Sequence, residues 1–135
     1  MKCFYVKEEI SKTILNTPKN VYEEMKDISM ADQEQFWLLC LNSKNKITDK
    51  YLISLGDLNS SAIPPRIVIK RAVTVDSASV IFVHNHPSGD PKPSQTDIET
   101  TKTLNHILRL LDIKVLDHII VGKNEYYSFV ENGDL

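Results

Sequence analysis

The sequence predicts an α/β sandwich built around one sheet. Strand-like and helix-like runs are interspersed along the chain, and several strands follow one another directly. The stretch SASVIFV, 77–83, is the most strand-like in the chain and carries no charge. Ser94 then opens a helix with Ile98, Thr101, Leu104, Ile107, Leu108 and Leu111 on one stripe.

The remaining elements follow in order. KCFYVK, near the N-terminus, reads as a short strand. Thr17-Pro18 is an N-cap followed by proline at the first helical position, and Val21, Met25 and Ile28 share one face of the short helix behind it. Ala31 to Gln33 is a polar junction. Gln35 to Asn42 is an apolar run of strand length, residues 43–46 form a turn, and Ile47 to Leu55 is the partner strand, closed by Gly56. Asp57 to Ser61 is a loop. Pro64-Pro65 opens a helix with Ile67, Val68, Ala72 and Val75 at helical spacings and Arg66, Lys70 and Arg71 on the other, solvated side. His84 to Lys92, dense in Pro, Gly, Asn and Asp, reads as a loop. Ile113 to Val121 is a strand, Gly122 to Glu125 a turn, and 126–130 a final strand. Residues 1–30 form a lead-in and 31–135 the main module.

At 135 residues the chain is one domain's worth, and 41% hydrophobic with 25% charged residues is ordinary globular composition. Sixteen basic against eighteen acidic residues give a net charge of -2, which lends no support to a general polyanion binder and leaves a local basic face open. The longest apolar runs, 36–41 and 80–83, fall far short of the ~20 residues of a membrane helix, and the N-terminus has no signal-peptide core. A cytoplasmic protein without a membrane partner is expected. Cys3 and Cys40 stand far apart and form no CxxC pair, so a reduced, buried Cys40 is expected.

The chemistry concentrates in HNHPSGDPKPSQTD, 84–97. His84 and His86, spaced i and i+2 at the end of a strand, point to the same side. Asp97, in the first turn of the next helix, swings back toward them. Two imidazoles and one carboxylate with a fourth position open is the ligand count of a catalytic zinc site, and the chain has no cysteine-rich set for a structural one. Pro87, Pro91 and Pro93 lower the entropy of holding such a loop, and Gly89 allows a turn. Ser94 starts a capping box with Asp97, and its hydroxyl also suits a developing oxyanion. Metal-assisted hydrolysis needs a proton acceptor as well. Glu34, ahead of FWLLCL, is the best upstream carboxylate, with Asp32, Asp49 and Asp57 as rivals.

The HNHPSGDPKPSQTD segment matches the His-x-His-x7-Ser-x2-Asp signature of the JAB1/MPN/Mov34 metalloenzymes, the JAMM proteases. Within that superfamily the chain resembles the RadC group through HNHPSG, GDLNSSAIPPRIVIKRAV, VLDHIIVG and YYSF, over about residues 31 to 135. The resemblance implies a mixed β-sheet flanked by helices, the cytidine-deaminase-like α/β/α sandwich. It implies His84, His86 and Asp97 as Zn2+ ligands, Ser94 as the serine supporting the tetrahedral intermediate, and Glu34 as the glutamate acting on the water. Zinc-dependent cleavage of peptide or isopeptide bonds in a protein substrate is then the expected activity. A RadC-like, DNA-repair-associated protein that binds or processes nucleic acid is the alternative. A non-catalytic MPN interaction module is a third reading, and a homo-oligomer stays open. RadC proteins usually carry an N-terminal helix-hairpin-helix-like region, and only some 30 residues precede the module here.

Blander roles compete. His84 and His86 would also suit a hydrogen-bonded pair in a structural loop, and Ser94 and Asp97 would suit simple helix capping. His118, in LeuAspHis, is read as a strand residue bonded to its surroundings. His106 is given no role. Phe36 and Trp37 are expected in the core, with one of them near the metal pocket.

Overall fold

The computed structural model describes residues 4–6, 14–56 and 63–135, with the backbone alone at 4–6. Cys3 and the loop expected at 57–61, with the rival carboxylate Asp57, lie outside the described residues. The described elements are β1 (Phe4–Val6), α1 (Pro18–Met25), a 3-10 helix (Lys26–Met30), β2 (Gln35–Leu41), β3 (Ile47–Leu55), α2 (Pro65–Thr74), β4 (Ser79–Asn85), α3 (Gln95–Leu110), β5 (Lys114–Val121) and β6 (Tyr126–Ser128).

These strands form one mixed sheet in the order β1-β3-β2-β4-β5-β6. Strands β2 and β3 make the expected antiparallel hairpin, while β4 and β5 run parallel with α3 as their crossover. Alternation along the strands divides the apolar side chains between two faces. Phe36, Leu38, Cys40, Val80 and Phe82 pack with Val68 and Ala72 of α2 and Leu104 and Leu108 of α3. Leu39, Leu41, Ile81 and Val83 pack with Val21 and Met25 of α1 on the opposite face. The result is the α/β/α sandwich expected from the sequence.

Strand β4 is buried at all seven positions, so it forms the middle of the molecule. It also runs further than its composition suggested. His84 pairs with Phe36 of β2, and Asn85 pairs with Val121 of β5, so the loop starts at His86 rather than His84. Pairing on both sides outweighs the turn-forming bias of Asn and Pro. Near the C-terminus, β6 stops at Ser128, and Phe129 and Val130 form a turn in which the Phe129 N–H donates to the His118 carbonyl and the Val130 N–H to the Asp117 carboxylate.

Two further expectations are revised. Leu111 caps α3 and is exposed, because the helix has ended by then. Arg66 and Lys70 face solvent, but the Arg71 guanidinium lies 5.3 Å from the centre of the Tyr51 ring, a cation–π contact. Cys40 is buried as expected, and burial pushes its thiol up to about 12, which leaves it unreactive. Thr17 caps α1 through the Asn20 N–H at 3.2 Å, with Pro18 at the first helical position. No described helix is long and apolar enough to cross a membrane.

Candidate metal centre

His84 and His86 leave the C-terminal end of β4, and Asp97 sits on the first turn of α3, which follows the same loop. In parallel α/β units this is where ligands collect, between strand ends and helix starts. His84 shares its face with Val80 and Phe82 and therefore points toward α3. Ser94 and Asp97 complete the expected capping box. The Ser94 hydroxyl accepts the Asp97 N–H at 3.0 Å, and Asp97 Oδ2 accepts the Ser94 N–H at 2.8 Å. That reciprocal pair fixes the carboxylate at a helix N-terminus, where negative charge is favoured.

Three ligand-type side chains converge. The two Nε2 atoms stand 3.1 Å apart, His86 Nε2 lies 3.1 Å from Asp97 Oδ2, and His84 Nε2 lies 3.4 Å from Asp97 Oδ1. An ion bonded tetrahedrally at about 2.0–2.1 Å has its ligand atoms about 3.3 Å from one another. The observed edges are of that size. Among the described residues this is the group of His, Cys, Asp and Glu side chains suited to hold a metal ion.

The donor chemistry agrees. His86 Nδ1 lies 2.9 Å from the Asp90 carbonyl, which only accepts, so Nδ1 carries the proton and Nε2 presents a lone pair inward. Burial disfavours a charged His86 ring, but that form can donate from Nε2 to Asp97 as well as from Nδ1 to the Asp90 carbonyl, and these gains outweigh burial and raise its pKa. Burial likewise opposes ionisation of Asp97, yet the two histidine rings facing it, together with the Ser94 N–H, hold its carboxyl well below the usual range. The centre is thus electrostatically built for positive charge.

Glu34 is half-buried and immediately precedes β2. Since Phe36 pairs with His84, continuing the antiparallel register by two residues brings Glu34 opposite His86. Its carboxylate contributes to the raised pKa of that ring. The rivals sit elsewhere: Asp49 pairs with Cys40 toward the far end of β2, and Asp32 is exposed.

Two participants escaped the sequence reading. Asn85, fully buried between the histidines, accepts the Gln35 N–H at 2.6 Å and donates to the Gln33 carbonyl at 3.1 Å. It therefore grips the backbone on both sides of Glu34. Thr101 lies on the stripe predicted for α3, and its hydroxyl is 2.6 Å from His118 Nδ1. His118 is a bonded strand residue as expected, and its Nε2 lies 2.7 Å from His84 Nδ1. Phe36 is the aromatic residue near the centre, stacked on His84 with ring centroids 5.9 Å apart, while Trp37 packs on the α1 face. His106 is exposed.

The RadC-like JAB domain family matches residues 15–134. The chain belongs to that family. The RadC-like JAB domain is 54% identical over 101 residues to a UPF0758 protein of Trichlorobacter lovleyi, covering 75% of this chain and 44% of that protein. It is 40% identical over 129 residues to a UPF0758 protein of Halalkalibacterium halodurans, covering 95% of this chain and 56% of the relative. A UPF0758 protein of Methanosarcina barkeri is 47% identical over 119 residues, 87% of this chain and 52% of its own length. The chain thus spans about half the length of the curated relatives it matches.

Proposed function

We propose that this RadC-like JAB domain is a zinc-dependent hydrolase of the JAMM type, acting on peptide or isopeptide bonds in a protein substrate. The observation that carries the reading is the convergence of three side chains: the His84 and His86 Nε2 atoms stand 3.1 Å apart, and the Asp97 carboxylate meets His86 through Oδ2 at 3.1 Å and His84 through Oδ1 at 3.4 Å. Two imidazoles and one carboxylate leave a fourth position for solvent or substrate, as catalytic zinc sites do. A bound zinc would polarise a scissile carbonyl and lower the pKa of a water to about 7.

The chain's own groups supply the rest. Glu34 takes a proton from the attacking water and returns it to the departing amine. Its half-buried position beside His86 keeps it close to both events. The Ser94 oxygen accepts from the Asp97 N–H, which leaves its O–H free to donate to a carbonyl oxygen as charge develops there. Asn85 holds the Glu34 backbone against movement.

Metal analysis of the purified chain tests this reading. Wild type should carry about one zinc per chain, and His86→Ala should lose it. A folded wild type that takes up no zinc under zinc-replete conditions overturns the proposal. Glu34→Gln should keep zinc while losing hydrolysis of a peptide or isopeptide-linked substrate by about 100-fold or more. Full activity in that variant would remove Glu34 from the reaction.

A further inference from the structure

The hydrogen bonds behind His84 have a direction, and their last acceptor fixes it. The Asp97 backbone carbonyl, 2.7 Å from Thr101 Oγ1, has no proton to give. Thr101 must donate its single hydroxyl proton there. Its oxygen is then an acceptor toward His118 Nδ1 at 2.6 Å, so His118 carries its proton on Nδ1. His118 is 1% exposed, stacked on Phe129 at 4.5 Å and edge-on to Phe36 and Phe82, and among the described residues no carboxylate bonds to its ring. Such dry, aromatic surroundings favour the neutral imidazole. A neutral His118 protonated on Nδ1 has a bare Nε2. That lone pair faces His84 Nδ1 at 2.7 Å and accepts a proton from it.

We propose that Thr101 and His118 are positioning residues: a one-way chain from His84 through His118 and Thr101 to the Asp97 carbonyl sets His84 as its Nδ1–H tautomer and aims its Nε2 lone pair at the metal centre. The inference rests on the metal-centre reading above. It explains why a polar chain is buried in an otherwise aromatic pocket. It also ties two of the three proposed ligand residues together across β4, β5 and α3. His86 reaches the same tautomer more simply, by donating directly to the Asp90 carbonyl. A His84 ring with no acceptor behind it would be free to protonate Nε2, the atom the ion needs.

Thr101→Val is nearly isosteric and removes only the hydroxyl. It frees His118 to carry its proton on Nε2, which would drive His84 to protonate its inward nitrogen. Zinc affinity, measured by chelator competition, should fall about tenfold to a hundredfold. Thr101→Ser restores the hydroxyl and should bind within about threefold of wild type, the rescue expected when only the donor and acceptor pattern matters. His118→Phe keeps the aromatic packing, removes the acceptor and should weaken zinc to a similar degree. Folded Thr101→Val and His118→Phe chains that both bind zinc as wild type does would overturn the relay.

A second measurement needs no substitution. Long-range proton–nitrogen NMR of the wild-type histidines, with and without zinc, should find His118 neutral and protonated on Nδ1 in both states. A His118 proton on Nε2 overturns the proposal even if every variant misfolds. If wild type binds no zinc, the metal-centre reading fails, and the His118 tautomer still decides whether the relay exists.

Discussion

Gly122 presses against the metal-ligand loop so closely that a Cβ on it would stand 2.5 Å from the Gly89 carbonyl oxygen and 2.9 Å from the Pro91 ring. Both neighbours belong to the loop that carries His86 and Asp90. The same seam is sewn by backbone bonds, from the His86 N–H to the Val121 carbonyl at 3.1 Å and from the Lys123 N–H to the Gly89 carbonyl at 2.8 Å. The requirement for glycine at 122 is thus steric, set by backbone and proline atoms that have little room to retreat. Gly122→Ala should push the loop outward, loosen the Asp90 carbonyl behind His86 and lower zinc affinity at least about tenfold. Overpacking should also cost about 1–3 kcal/mol of stability. Chelator competition and urea unfolding check both numbers, and wild-type zinc affinity in Gly122→Ala would mean the loop tolerates the shift.

Asn85 offers a way to disturb the proposed base while leaving the ligands in place. Its amide satisfies a donor and an acceptor that flank Glu34, and both would lose their partner in Asn85→Ala. The expected stability loss is about 1–3 kcal/mol. Because the three metal-facing side chains are untouched, zinc content should stay near that of wild type. Turnover should drop about tenfold to a hundredfold as Glu34 loses its fixed position. Asn85→Asp should not restore it, since a carboxylate accepts from Gln35 but has no N–H for the Gln33 carbonyl. Loss of zinc in Asn85→Ala would instead assign Asn85 to the ligand scaffold.

The parts of this centre that the sequence revealed are those set by local geometry. His84 and His86 share a face through the two-residue repeat of a strand, and Ser94 and Asp97 meet through the three-residue reach of a helix start. Residues joined by register were harder to see. Four carboxylates competed as the proton acceptor, and only the pairing of Phe36 with His84 separates Glu34 from Asp49. Asn85 was hidden because an Asn between two histidines at the head of a Pro- and Gly-rich segment reads as turn, whereas two flanking strands hold it extended. His118 meets His84 through a parallel pairing with an irregularity at Val80/Ile81, which no local pattern predicts. Gly122 gave no signal either, because its neighbours come from the loop more than thirty positions earlier.

The histidines also predict how stability of the metal-free chain varies with pH. His86 has a raised pKa, so the folded state holds its proton more tightly than the unfolded state does. That contribution is complete below about pH 6.5 and disappears as pH rises through the folded value above it. His118 has a lowered pKa, so unfolding is favoured once the exposed ring gains a proton, below about pH 6.5. The two effects oppose each other across pH and do not overlap. Thermal unfolding of the EDTA-treated chain should therefore show a maximum near pH 6.5, with an alkaline limb from His86 and an acid limb to which His118 contributes. His86→Ala should flatten the alkaline limb, and His118→Phe should shallow the acid limb. In the proposed centre a bound zinc would compete with the His86 proton, so its affinity should rise with pH between about 6 and 8. Metal and pH then act in opposite directions on one ring, and the melting-temperature gap between loaded and EDTA-treated protein should widen toward pH 8. A gap that stays constant across that range would show that His86 holds no proton in competition with the ion.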